Sequence, residues 1–151
     1  MARIRVSRVI EAPVDAVWEE FANVSGHVEW MDDALSIDFT SPQRSGVGTT
    51  YACATRIGLF RTTDHMEIVE WEPGRSIGVR HVGVVTGVGQ LSMRRAGRAR
   101  PPRPHQTKVT WDERLRFPWW LGGPVTAQAA KPVLRRVWKR NLRNLEALVR
   151  S

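Results

Sequence analysis

A chain of 151 residues, 42% hydrophobic, 25% charged and carrying a formal net charge of +8, is long enough to bury one core without disulfide or metal staples and has the composition of an ordinary globular domain. No apolar run approaches the ~20 residues of a membrane span, and Arg3, Arg5 and Arg8 interrupt what would otherwise be a secretory-type apolar stretch. The single cysteine, Cys53, excludes an internal disulfide and forms no metal set with the histidines at 27, 65, 81 and 105, so a cytoplasmic protein with no metal and no cofactor is the expectation.

The first element reads as a strand. In "RIRVSRVI" (3–10) Ile4, Val6 and Ile10 fall at even positions with Arg3, Arg5 and Ser7 between them, the alternation of a half-buried strand. The period then changes. In "IEAPVDAVWEEFANV" (10–24) Val14, Val17, Trp18 and Phe21 recur at helical spacing, Pro13 suits a first helical turn, and Asp15, Glu19 and Glu20 suit the positive helix start. "HVEWMDD" (27–33) reads as one more short turn of helix, carrying Trp30 and Met31.

From there to about residue 117 the pattern is of strands and short polar turns. "ALSIDFT" alternates through Leu35, Ile37 and Phe39, and "SPQRSGVGTTY" supplies turn chemistry before "TTYACATRI". Then come "FRTTDHMEIVEW", the turn "EPGR", "SIGVRHVGV", a glycine-marked turn, "GQLSMRR", the loop "AGRARPPRPHQ" and "TKVTWDERLRF". Consecutive strands joined this closely pair antiparallel, because a parallel pair needs a long crossover. The Arg- and Pro-rich stretch 94–104 is expected to be a mobile hairpin loop. "GVVTGVGQ" (83–90) has the look of a dinucleotide fingerprint but lacks the third glycine and opens no helix; a hairpin is expected there.

The chain ends helically. "GGPVTAQAAKPVLRRVWKRNLRNLEALVR" spaces Leu134, Trp138, Leu142, Leu145 and Val149 as one apolar stripe, opposed by Arg135, Arg136, Lys139, Arg140 and Arg143. Pro124 suits a first helical position, and Pro132 is expected to kink this helix or divide it in two. So long an apolar face requires a large apolar partner, and only the sheet offers one. The positive charge concentrates in two stretches, with six basic and no acidic residues over 90–108 and seven basic against one acidic over 131–150. No aromatic residues interleave with the arginines of 94–103 and no nucleic-acid motif is present, so the expectation is against a nucleic-acid partner. A solvated loop and helix face are expected, with weak contact to an anionic membrane as the alternative.

Strand, "APVDAVWEEF" helix, a short helix holding a tryptophan, six further strands and a long final helix together resemble one family. The matches "IEAPVDAVWEEFANV", "HVEWMDD", "SGVGTTY", "EIVEWEPGRSI" and "TKVTWDERL" occur in order over residues 4–150, and the chain resembles the START-like (SRPBCC) superfamily, most closely its bacterial polyketide cyclase/dehydrase-type branch. The resemblance implies a single domain over 1–151, monomeric or homodimeric, with an α+β helix-grip fold. That fold is a curved seven-stranded antiparallel sheet wrapped around the long C-terminal helix, with two short helices between strands 1 and 2. It also implies a cavity between sheet and helix that takes an apolar or amphipathic small molecule. The superfamily contains cyclases, lipid carriers and hormone receptors, so the resemblance does not select a function.

Candidate site residues follow from strand periodicity against that expected cavity. Over 108–117, Val109, Trp111, Glu113, Leu115 and Phe117 share one face, which sets Glu113 among apolar neighbours as a general acid or base, or else as an ion-pair partner of an arginine. His81 shares a face with Ile77 and Val79, as a second catalytic candidate or a hydrogen-bonded core histidine. Tyr51, Cys53 and Thr55 lie together on another strand. In 61–71 either face is equally credible, His65 and Glu67 with Val69 and Trp71, or Asp64 with Met66 and Ile68. The expected ligand wall comprises Trp30 and Met31; Tyr51, Cys53 and Thr55; Val79, His81 and Leu91; Trp111, Glu113 and Phe117; and Leu134 and Trp138. The leading expectation is binding, transport or sequestration of a polyketide, lipid or isoprenoid. The alternatives are a cyclase or dehydratase working through Glu113 with His81 or Tyr51, and a membrane- or protein-interaction module using the basic loop and final helix.

Overall fold

The computed structural model describes residues 2–96 and 105–150. Strand β1 (Ala2–Ile10) leads into helix α1 (Val14–Ala22) and a 3-10 turn (Val24–Glu29). Strands β2 (Ala34–Phe39), β3 (Thr50–Ile57), β4 (Phe60–Glu72), β5 (Ser76–Val82), β6 (Thr86–Arg95) and β7 (Thr107–Arg116) follow. A second 3-10 turn (Trp119–Leu121) precedes helix α2 (Gly123–Val149). The strands form one antiparallel sheet in the order β1-β7-β6-β5-β4-β3-β2, curved around α2 as a helix-grip α+β fold. The first strand thus pairs with the last, and α1 with its 3-10 turn carries the chain from one sheet edge to the other.

Local chemistry explains these elements. β1 buries Ala2, Ile4, Val6 and Ile10 and exposes Arg3, Arg5 and Ser7, as its alternation requires. α1 buries Val17 and Phe21, and Trp18 meets Trp71 of β4 edge-on at 5.4 Å, fixing the helix to the sheet. Pro13 stands just before the helix, and the Ala16 amide donates to its carbonyl at 3.1 Å. The "EPGR" turn closes with the Arg75 amide donating to Glu72 at 2.9 Å, and Gly74 at φ +74° supplies the left-handed residue that a type II turn needs.

Helix α2 buries Leu134, Trp138, Leu142 and Leu145, and Arg135, Arg136, Lys139, Arg140 and Arg143 remain exposed. It packs principally on β1 and β7. Arg8 holds it there, donating to Glu146 Oε1 at 3.1 and 2.7 Å while the Glu11 amide donates to Glu146 Oε2 at 3.1 Å. The expected division at Pro132 does not occur, and the helix runs unbroken over 27 residues. Pro132 and Gln128, four residues earlier, are both exposed, so water can take the carbonyl that the proline leaves without a donor.

Two other expectations shift, and a third is left untested. The short helix spans Val24–Glu29 rather than 27–33, and Trp30 and Met31 follow it, their amides both donating to the His27 carbonyl. Asn141 of α2 then pins the next residues, donating to Asp33 at 2.7 Å and accepting from the Asp32 amide at 2.9 Å. β6 reaches Arg95, which pairs with Thr107, so Arg94 and Arg95 belong to the strand rather than to the loop. The rest of that expected mobile loop, 97–104, lies outside the described residues.

Candidate functional site: a cavity between sheet and helix

Because α2 lies over β1 and β7, the curved sheet stands away from it on the other side. A cavity of about 440 Å³ remains there, within the roughly 300–1,000 Å³ of small-molecule sites. Its wall includes Tyr51, Cys53 and Thr55 from β3, Val79 and His81 from β5, and Leu91 from β6. Trp111 and Glu113 from β7, Phe117 beyond it, Leu134 and Trp138 from α2, and Met31 complete the sequence-based candidates that reach it. Trp30 does not. It lies behind the wall at 1% exposure, stacked on Phe21 at 6.3 Å and edge-on to Trp111 at 6.2 Å. Trp111 in turn stacks on Trp138 at 5.0 Å, an aromatic floor shared by sheet and helix.

Strand β4 resolves in favour of its even residues. Thr62, Asp64, Met66 and Ile68 line the cavity, whereas His65 is exposed and Glu67 pairs with Arg80 on the outer face. A bulge between Ile68 and Glu70 then inserts one residue, so Trp71 points to the same side as Ile68. That insertion explains why no single alternation fitted the segment. Asp33 and His27 also reach the wall, neither of them expected there.

At the inner wall the polar side chains gather. His81 Nε2 lies 3.4 Å from Glu113 Oε1, at ion-pair distance but outside hydrogen-bond geometry, and both side chains are about nine-tenths buried. Trp111 Nε1–H donates to the same Glu113 oxygen at 3.0 Å. Thr55 Oγ1 donates to Asp64 Oδ2 at 3.0 Å. Burial alone would lower the His81 pKa, but Glu113 and then Asp64 outweigh it and hold it above the ordinary imidazole value. Burial raises the carboxyls of Asp33 and Asp64, against the opposing hydrogen bonds from Asn141 and Thr55. The Tyr51 phenol and the Cys53 thiol are likewise raised by burial, Cys53 to about 11, so both stay neutral and Cys53 is no nucleophile at neutral pH. Among the described residues no three His, Cys, Asp or Glu side chains are grouped as metal ligands would be.

His81 and Glu113 stand two strands apart, and glycines let them meet. In β6, Gly87 pairs with His81 and Gly89 pairs with Glu113, so the inward positions between the two carry no side chain. Gly87 sits at φ +147°, where a Cβ would lie 1.9 Å from the Arg114 carbonyl oxygen. At Gly89 a Cβ would come within 2.8 Å of Glu113 Cγ and Oε1. Gly89→Ala should therefore swing the flexible carboxylate away at a stability cost of only about 1 kcal/mol. The Trp111 indole N–H resonance, which reports the Glu113 acceptor, should shift in its NMR spectrum; an unmoved resonance would mean that the pair does not depend on this gap.

The cavity reaches the surface between the β3–β4 hairpin and the first half of α2, since Phe60 and Val133 line it while being 44% and 50% exposed. A family model described as polyketide cyclase/dehydrase and lipid transport matches residues 1–150. No curated protein matches the chain by sequence. Among solved structures, the protein XoxI from Bacillus cereus is similar at a TM-score of 0.75 with 16% identity, over 99% of this chain and 96% of that one. Ginseng major latex-like protein 151 from Panax ginseng is similar at 0.73 with 14% identity, over 97% and 95%. A Thermobifida fusca protein is similar at 0.75 with 15% identity, over 99% and 93%. At these identities the likenesses concern the fold.

Proposed function

The chain belongs to the polyketide cyclase/dehydrase and lipid transport family, and from that premise we propose that it binds one apolar or amphipathic small molecule, of polyketide, lipid or isoprenoid type, inside the cavity. One observation carries this reading. A space of about 440 Å³ is walled by Met31, Val79, Leu91, Trp111, Leu134, Trp138 and similar apolar side chains, and its buried polar groups gather around His81 and Glu113. Such a site gains affinity from the apolar body of a ligand and orientation from one polar end.

Native mass spectrometry of freshly purified protein should detect a retained small molecule at one per chain. The neutral fluorophore N-phenyl-1-naphthylamine should bind saturably and take excitation energy from Trp111 and Trp138. Ala130 faces the same space from α2, so Ala130→Phe should weaken that binding at least about tenfold with an unchanged circular dichroism spectrum. A fluorophore that binds the variant equally well, or binds neither protein saturably, overturns the proposal.

The contact between His81 and Glu113 supports a second reading, a cyclase or dehydratase. One member of the pair would take a proton from carbon beside a carbonyl. The other would protonate a departing hydroxyl, which leaves as water. Glu113→Gln keeps the shape, so under this reading it retains ligand affinity and loses most of the turnover, by about 10²–10⁴-fold. A variant with full turnover removes Glu113 from any proton-transfer role.

A further inference from the structure

The cavity is unbalanced in charge. Among the described residues lining it there is no lysine or arginine, whereas Asp33, Asp64 and Glu113 bring three carboxyl groups to it. Asp33 and Asp64 each feel the Glu113 charge, and burial already raises both, so the site resists a further negative charge. His27 is held neutral by burial. That leaves His81 as the side chain of the described wall able to carry positive charge, and Glu113 and Asp64 already act on it.

The hydrogen-bonding capacity is unused in a particular way. The His81 side chain is only 10% exposed and its Nε2 has no hydrogen-bond partner, although Glu113 Oε1 is 3.4 Å away. A donor and an acceptor thus stand side by side, out of line with each other, on the wall of one cavity. A hydroxyl group serves both at once, its oxygen accepting from His81 Nε2–H and its proton going to Glu113 Oε1. An ether oxygen only accepts. A carboxylate only accepts and adds a charge; an ammonium only donates. We infer that the ligand is an uncharged apolar molecule whose buried end carries an alcohol or phenol hydroxyl, held between His81 and Glu113, and that fatty-acid-type anions are rejected. This inference rests on the apolar-ligand reading of the same cavity and sharpens it to one class.

Displacement of N-phenyl-1-naphthylamine at pH 8 by a chain-matched set tests it: 1-decanol, methyl nonyl ether, decanoic acid and decylamine. Decanol should bind tightest: the ether leaves Glu113 without a donor, the amine leaves His81 without an acceptor, and the acid also meets the three carboxyl groups, so each should be weaker by at least about tenfold. Glu113→Gln removes one negative charge and should narrow the deficit of the acid by about tenfold. Decanoate or decylamine matching decanol overturns the inference and leaves the apolar-ligand reading standing. The ether matching decanol overturns the hydroxyl requirement. If the probe binds and none of the four displaces it, the inference falls; if the probe itself fails to bind, the apolar-ligand reading falls with it.

Discussion

Leu142→Ala should lower the unfolding free energy by about 3–5 kcal/mol, in the upper part of the range for buried leucines. Leu142 is 1% exposed, belongs to the main apolar core, and is not part of the cavity wall. Truncation there opens a new void in a packed region, so the cost of the empty space adds to the lost transfer free energy. Leu134, two turns earlier on the same stripe, lines the existing cavity. Its truncation enlarges a space that is already open, so Leu134→Ala should cost about 2 kcal/mol or less. Arg143→Ala, on the exposed face next to Leu142, should stay within about 0.5 kcal/mol. Urea denaturation of the three variants checks the order. Equal costs at Leu142 and Leu134 would mean that the helix does not divide its apolar face between a packed end and an open one.

That division could not be read from the sequence, although the stripe itself could. The spacing of Leu134, Trp138, Leu142 and Leu145 specified a buried helix face, because a 3.6-residue period requires only local geometry. Which part of the stripe meets sheet and which meets space depends on the long-range pairing of β1 with β7. The same distinction holds in the strands. β7 was legible, since Val109, Trp111, Glu113 and Leu115 alternate inward without interruption; Thr107 extends the same face by one further residue. β4 was not, because both its faces carry mixed residues and a bulge after Ile68 breaks the alternation. The glycines of "GVGQ" signalled a turn by composition but lie inside β6, where the requirement for them comes from Glu113 and the Arg114 carbonyl on the neighbouring strand. Asp33 sat in a polar loop with no period to place it. The one available signal was Asn141, a polar residue within the apolar stripe, which is wholly buried and donates to Asp33.

Acid should destabilise the protein through His27. This side chain is 5% exposed, its Nε2–H donates to the Phe21 carbonyl at 2.8 Å, and its ring stands edge-on to Trp30 at 5.3 Å. Burial pushes its pKa down to about 4, and the hydrogen bond to Phe21 offsets only part of that. The unfolded chain takes up the proton near pH 6.5, whereas the folded one resists it until about pH 4. Between those values the unfolded state binds more protons, so stability rises with pH and is lost as pH falls. The full contribution is present above pH 6.5, and on the order of 3 kcal/mol should be gone near pH 4. Asp33 and Asp64 act in the opposite sense, because their raised pKa values favour the folded state in acid. His81 is also raised, so its contribution is complete below pH 6.5 and is lost only above that, outside this window. A direct titration of stability would therefore mix these effects. His27→Gln separates them, since the amide nitrogen can still donate to Phe21 but does not titrate. Measured by urea at pH 7 and pH 4, the native chain should lose on the order of 3 kcal/mol relative to this variant. A difference between the two that stays constant with pH would mean that His27 accepts its proton as readily folded as unfolded, which its burial against Phe21 and Trp30 does not allow.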